Sequence, residues 1–128
     1  MTQITVTVKM YTGELRQIRV PGVAVTEEYG VTLDFTDLVL VPARTRRTLK
    51  RWGRWWVVTH LPTGTRASDS VKRGYATELA RWYAAWGPRN VSTPAEVKAW
   101  AKAHPEIATM LQKGLNPGML LAKEEARG

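Results

Sequence analysis

The sequence predicts an α+β protein: an N-terminal antiparallel β-meander of five to seven short strands, then a long helix and two to three C-terminal helices. Two observations predict this order. Residues 1–67 place apolar side chains at alternate positions between glycine and proline turns. From residue 68 onward, the apolar residues recur at helical spacing instead. A chain of 128 residues that is 44% hydrophobic is long enough to build one buried core.

The first two strands are predicted from residues 4–10 and 15–20, because each run alternates apolar and polar side chains across the turn at Thr12-Gly13. Pro21-Gly22 predicts the end of the second strand. Further strands are predicted at 23–27, 31–35, 38–42, 54–59 and 65–67, with the first two flanking a turn near Glu28 to Gly30.

The long helix is predicted to be capped by Asp69 and to run to Trp86, where Gly87-Pro88 stops it. Its apolar residues form one face at helical spacing, and aromatic residues in such a pattern are typical of a core. The residues on this face are Val71, Tyr75, Leu79, Trp82, Tyr83 and Trp86.

A second helix start is predicted at Thr93, with Pro94 at the first helical position and Glu96 completing a capping box. His104-Pro105 ends that helix and opens another, and residues 119–128 are a last short helix or a frayed tail. We expect one domain over residues 1–128. Its parts are a β-rich portion (1–67), an amphipathic helix (68–87) and a C-terminal helical appendage (92–128).

The charge is concentrated in the middle of the chain. The formal net charge is +8, and residues 44–90 hold eleven basic and two acidic side chains. Residues 1–43 are net acidic and residues 91–128 are nearly balanced. A basic field of this kind favours polyanions or acidic protein surfaces as partners.

The densest basic segment is the stretch 44–58, RTRRTLKRWGRWWVV, in which three tryptophans lie among six cations. Cations neutralise phosphates, and tryptophan faces stack on unpaired bases. The same pattern also fits contact with an acidic protein, or a solvated basic edge beside a core strand. The predicted nucleic-acid-binding residues are Arg44, Arg46, Arg47, Lys50, Arg51, Trp52, Arg54, Lys72 and Arg73, and Arg66 and Arg81 are possible additions.

Alternation along a strand sends Trp55 and Trp56 to opposite sides, so at least one of them should point inward. Trp52, before Gly53 in the least regular part of the stretch, is the tryptophan expected to be most exposed. The segment 44–51 is therefore predicted as a basic loop, and 55–58 as a core strand.

Enzymatic chemistry is weakly represented. His60 follows a β-run without an evident partner acid, the nearest following one being Asp69, and a structural or turn-capping role is expected. His104 lies at a helix end, where the dipole favours a cation. The acids Glu27, Glu28, Asp34 and Asp37 alternate with apolar residues and are expected to face solvent.

Several classes of protein are excluded or disfavoured by composition. The chain has no cysteine, so disulfides and thiolate metal sites are excluded. No apolar run is long enough for a membrane span, and the N-terminus does not resemble a secretory signal. We therefore expect a cytoplasmic, non-enzymatic protein without a cofactor or metal.

The segment WWVVTHLPTG, residues 55–64, resembles an aromatic-V-T-H-x-x-T-G hairpin found in small bacteriophage-encoded proteins. The resemblance implies a phage accessory protein that binds nucleic acid or a host protein. Our leading expectation is non-specific binding of DNA or RNA. The alternatives are a host-takeover protein that docks on an acidic face of a polymerase, nuclease or division component, and an oligomeric assembly protein that adds strands at a sheet edge.

Overall fold

The computed structural model describes residues 2–9, 12–34 and 55–119. Within these ranges the first half forms one five-stranded antiparallel sheet in the order β1-β2-β3-β4-β5, so neighbours in sequence are neighbours in space. The predicted α+β class and strand number are therefore confirmed. The strands are β1 (Thr2–Lys9), β2 (Leu15–Ala24), β3 (Tyr29–Leu33), β4 (Trp56–His60) and β5 (Thr65–Arg66).

The sheet curls so that β1 contacts the turn between β4 and β5. The backbone N–H of Thr7 in β1 donates to the carbonyl of Gly64 at 2.6 Å. The Thr7 hydroxyl donates to the neighbouring carbonyl of Thr63 at 2.9 Å. These bonds satisfy part of an edge that would otherwise be open, and they bend the β1–β2 hairpin over the centre of the sheet.

This curl buries both faces of β3 and β4, every residue of which is buried. On one face, Val57 packs with Val6, Val8 and Val20 of the hairpin. On that same face, the Thr32 and Thr59 hydroxyls share a buried hydrogen bond of 2.8 Å. The other face packs against helices, through Tyr29, Val31, Leu33, Trp56 and Val58.

The second half contains three helices among the described residues: α1 (Arg73–Trp86), α2 (Pro94–Ala103) and α3 (Pro105–Gln112). They are 14, 10 and 8 residues long, so the predicted single long helix over 68–87 is not observed. Leu111 of α3 is fully buried in the cluster that α1 forms with the sheet. The C-terminal helices are thus packed on the body of the protein.

The buried face of α1 differs from the predicted aromatic face. Leu79 and Tyr83 are buried as expected, but Ala76 and Ala80 complete the contact. Small side chains at these positions let the helix approach the sheet closely. Tyr75, predicted to lie in the core, remains 45% exposed.

The start of α1 is also later than predicted. Asp69 does not cap it; the N-cap residue is Lys72, which makes no side-chain capping bond. The residues before it are extended along β4 instead: Ser68 accepts a hydrogen bond from the Val58 N–H, and Val71 forms a bridge with Trp56. Pairing with the sheet thus delays the helix by one turn.

The predicted break at Pro21-Gly22 is wrong, because β2 continues through it to Ala24. The first residue of β2 that pairs with β3 is Gly22, so Pro21 pairs with β1 alone. Proline is tolerated in a strand where its missing N–H is not needed. The predicted strand at 38–42 and residues 120–128 of the predicted tail lie outside the described residues.

Candidate functional site

The start of β4 is joined to the segment just before α1 by a short β-bridge. Trp56 and Val71 exchange two backbone hydrogen bonds, each of 2.8 Å. In an antiparallel pair, directly opposed residues point to the same side, and their neighbours point to the other. The Trp56 and Val71 side chains both face the core, so Trp55 and Lys72 lie beside each other on the opposite side.

Two cations, Lys72 and Arg73, stand at this junction. Both are exposed, and the Arg73 guanidinium lies over the Trp56 ring, 5.2 Å from its centre. A guanidinium over a tryptophan face is attracted by the ring quadrupole and is held in a defined position. The first turn of α1 contains no acidic residue.

The two tryptophans of the junction have different environments. Trp56 is 5% exposed and belongs to the sheet–helix core, which confirms that at least one tryptophan of the pair points inward. Trp55 is 46% exposed. Sequence reasoning expected Trp52 to be the most exposed tryptophan, and Trp52 lies outside the described residues.

Most of the predicted nucleic-acid-binding residues lie outside the described part of the chain. These are Arg44, Arg46, Arg47, Lys50, Arg51, Trp52 and Arg54. Lys72 and Arg73 are described: Lys72 follows Val71 and is opposed to Trp55 across the bridge, and Arg73 lies over the Trp56 ring. Arg54 immediately precedes Trp55 in the sequence, so the basic stretch joins the sheet at the same place.

The two possible additions to the basic surface are paired with acids. The Arg81 guanidinium lies 2.5 Å from a carboxylate oxygen of Glu78. Arg66 lies 3.8 Å from Asp69 and donates a hydrogen bond to the Ser68 carbonyl at 2.8 Å. Their charges are therefore partly neutralised locally, unlike those of Lys72 and Arg73, for which the described residues show no ion pair.

His60 has an acidic partner that its sequence neighbourhood did not indicate. Its Nε2 lies 3.4 Å from a carboxylate oxygen of Glu28, and its Nδ1 lies 2.8 Å from the Thr63 hydroxyl. His60 is 2% exposed. The expectation that Glu28 faces solvent is wrong, because the β2–β3 turn folds it against the end of β4.

The arrangement around His60 connects three loops. The other Glu28 oxygen accepts a hydrogen bond from the Asn90 N–H, in the loop between α1 and α2. The Thr63 hydroxyl is also within 2.7 Å of the Thr65 hydroxyl. Because each group is engaged in local bonds, the arrangement agrees with a structural role for His60.

A cavity of about 150 Å³ lies between the sheet, α1 and the α2–α3 pair. Its walls are mostly apolar and aromatic, and include Tyr29, Tyr83 and Trp100. Both tyrosine hydroxyls donate to backbone carbonyls, Tyr29 to Pro88 and Tyr83 to Ala67. Burial raises the pKa of both phenols well above the usual range, with smaller contributions from nearby acids.

The site features that sequence reasoning missed are the exposure of Trp55 and the His60–Glu28 contact. Adjacent tryptophans in a strand must face opposite sides, but only the position of α1 decides which one is buried. The His60–Glu28 contact joins positions 32 residues apart, for which the sequence carries no local signal.

Comparison with protein-family models, curated proteins and solved structures gives no match to this chain. Within the described ranges, no helix is both long and apolar enough to cross a membrane.

Proposed function

We propose that this protein is a non-enzymatic accessory protein of bacteriophage type that binds the backbone of DNA or RNA. One observation carries the proposal: the Trp56–Val71 bridge places Lys72 and Arg73 where the basic stretch 44–54 joins the sheet. Lys72 is thus brought opposite Trp55, which directly follows the basic stretch in the sequence. We call these cations, residues 44–54 with Lys72 and Arg73, the basic junction.

The start of α1 adds to the attraction for anions at the basic junction. The first N–H groups of a helix have no partner within it and carry a partial positive charge. No side chain caps them here, and a side chain at Gly74 would meet no heavy atom within 4 Å. A phosphate can therefore approach this backbone beside Lys72 and Arg73.

The nearby acids are engaged by other groups. Asp34 accepts a hydrogen bond from the Ser70 hydroxyl, and Asp69 lies close to Arg66. These contacts hold the carboxylates in place without drawing on Lys72 or Arg73. Among the described residues no acid forms an ion pair with Lys72 or Arg73, so these two charges can attract a polyanion.

The salt dependence of binding tests the proposal. We expect labelled DNA and RNA to bind at low salt irrespective of sequence. On duplex DNA, the log–log slope of affinity against salt should fall by about 0.9 for each phosphate contact removed. Replacing Lys72 and Arg73 by serine should thus reduce the slope by about 2. Replacing Arg46, Arg47, Lys50 and Arg51 by serine should reduce it further.

The matched control replaces Lys98 and Lys102, two exposed lysines of α2, by serine. This variant loses the same charge at another place and should keep most of the wild-type slope. An equal loss in both double variants would show that net charge, and not the basic junction, governs binding. If neither DNA nor RNA binds at low salt, the proposal is wrong.

An acidic protein surface is the alternative ligand for the same cations. Specific capture of a host protein from nuclease-treated bacterial lysate, lost in the Lys72/Arg73 variant and accompanied by no nucleic-acid binding, would replace the proposal with the host-takeover alternative.

A further inference from the structure

The cavity between the sheet, α1 and the α2–α3 pair has the size of a small ligand. Its volume of about 150 Å³ is that of an apolar protein cavity that binds one benzene molecule. Sites for drug-sized ligands and cofactors measure about 300–1,000 Å³, so a nucleotide does not fit here. The cavity can therefore hold about one aromatic ring.

Aromatic and small apolar side chains form most of the cavity wall. Tyr29 of β3 and Tyr83 of α1 contribute two rings whose centres lie 5.4 Å apart, and α2 contributes the indole of Trp100. The wall also contains Ala101 of α2 and Ala108 of α3, whose side chains take up little of the available space. Aromatic rings attract one another in edge-to-face and offset arrangements, so this wall suits an aromatic ligand.

The polar groups of the inner wall are already engaged within the protein. The hydroxyls of Tyr29 and Tyr83 donate to backbone carbonyls. The two ring nitrogens of His60 contact Thr63 and Glu28. Among the described residues, every buried side-chain nitrogen and oxygen has a hydrogen-bond partner. A charged ligand would lose its hydration here without gaining matched partners, so the cavity is suited to a neutral one.

The entrance to the cavity lies between β5 and α3. Arg66 and Gln112 line the cavity and are also exposed to solvent, so they mark the place where it meets the surface. Leu111 is the buried anchor of α3, and within α2, all of whose residues the structure describes, none is fully buried. Helices with little buried surface open locally at low cost, which gives a ligand a way in.

We propose that this cavity binds a small neutral aromatic molecule, with the rings of Tyr29, Tyr83 and Trp100 around it and the α2–α3 pair as its cover. The proposal does not depend on nucleic-acid binding, because the described lining of the cavity shares no residue with the basic junction. A ligand at this place contacts both the helix pair and the body of the protein. Its binding should therefore stabilise the attachment of α2 and α3.

NMR titrations with benzene and with its charged analogue benzoate test the proposal. We expect benzene to bind the wild type with a dissociation constant of about 0.1–1 mM, which is the affinity that a ligand of this size can supply. The methyl signals of Ala101 and Ala108 should shift during the titration. Benzoate should bind at least about tenfold more weakly, because its carboxylate would be desolvated. Absence of benzene binding, or equal binding of benzoate, refutes the proposal.

A matched pair of substitutions on α2 distinguishes the cavity from other surfaces. Ala101→Leu fills part of the cavity and should weaken benzene binding by at least about tenfold. Ala99→Leu places the same side chain at an exposed position of the same helix and should keep binding within about twofold of the wild type. Ala108→Leu fills the cavity from α3 and should act like Ala101→Leu. Equal binding by all three variants would place the benzene elsewhere and refute the proposal.

The stability of the two cavity-filling variants gives a second measurement. Side chains that fill available space should keep the urea midpoint at or above the wild-type value, whereas overpacking lowers it. A lowered midpoint or loss of folding in both variants shows that the space is not available, and overturns the proposal. Benzene at about ten times its dissociation constant should also slow amide exchange in α2 by up to about tenfold. Unchanged exchange would contradict binding beneath the helix pair.

Discussion

The rings of Tyr29 and Tyr83 lie 5.4 Å apart, centre to centre, at the interface between the sheet and α1. Both residues are buried, and each hydroxyl donates a hydrogen bond to a backbone carbonyl. This pair joins β3, α1 and the loops that follow β5 and α1. Because both hydroxyls are buried, the stability of the folded protein should decrease at alkaline pH.

Above pH 10.0, the ordinary pKa of tyrosine, the unfolded chain loses phenolic protons that the folded protein retains. The folded state then binds more protons, so stability falls as pH rises. Two such tyrosines should lower the free energy of unfolding by about 2.7 kcal/mol per pH unit. Below pH 10.0, these two tyrosines should make no contribution to the pH dependence of the free energy of unfolding.

Tyr29→Phe tests this assignment by urea unfolding at a series of alkaline pH values. The variant should lose about 1 kcal/mol at neutral pH, because the Pro88 carbonyl loses its donor. Its alkaline slope should be smaller than that of the wild type by about 1.4 kcal/mol per pH unit. Parallel slopes would contradict retention of the Tyr29 proton in the folded state.

Glu28→Ala should lower the free energy of unfolding by about 2 kcal/mol, since hydrogen bonds to charged groups contribute about that much. The substitution removes the acceptor of both His60 and the Asn90 N–H. Glu27→Ala, at the exposed neighbouring position, should change stability by less than about 0.5 kcal/mol. Urea unfolding measures both, and equal effects would show that Glu28 contributes only its charge.

Gly22→Ala should destabilise the protein by about 1–3 kcal/mol, as overpacking does. A Cβ at this position would lie 2.7 Å from the Val31 carbonyl oxygen and 2.9 Å from Cδ1 of Ile4. Gly74→Ala is the control: its Cβ meets nothing within 4 Å, and alanine favours the helix by up to about 1 kcal/mol. Thermal unfolding should shift downward for Gly22→Ala and upward for Gly74→Ala.

Thr93→Ala should loosen α2 by about 1 kcal/mol, because the Thr93 hydroxyl accepts the Glu96 N–H at 3.2 Å. No residue of α2 is fully buried, so little packing compensates for the lost cap. Amide exchange within α2 should accelerate about fivefold while that of β3 and β4 is unchanged. Thr77→Ala, at a half-buried position within α1, should leave exchange in α2 unaltered.

The features that were predictable from sequence are those set by local chemistry. The start of α2 at Thr93-Pro94 and its end before Pro105 follow from capping and from proline geometry, and the structure confirms both. The alternation that predicts β1 holds, because Val6 and Val8 are buried and Thr5 is exposed. The alternation predicted for the start of β2 does not hold, since Leu15 is 64% exposed and the first three residues of that strand all face solvent.

The features that failed depend on contacts between distant residues. Asp69 is a suitable N-cap by type, but the pairing of Val71 with Trp56 keeps the chain extended past it. Proline ends a strand in most contexts, but β2 continues through Pro21 because its pairing with β3 begins only at the next residue, Gly22. For the candidate site, the sequence indicated Lys72 and Arg73, but only the fold shows that Lys72 is opposed to the exposed Trp55 and that Arg73 lies over Trp56.

The N–H of Asp34 donates to the carbonyl of Trp55 at 3.1 Å, so the chain leaves β3 and re-enters β4 at adjacent points. A connection whose ends already meet can change in length at little thermodynamic cost, about 0.6 kcal/mol for each doubling. Related proteins can therefore carry inserted, shortened or exchanged segments between these two strands and keep the same sheet. In evolution, the sequence between positions 34 and 55 can thus vary in length and composition while the sheet is inherited unchanged.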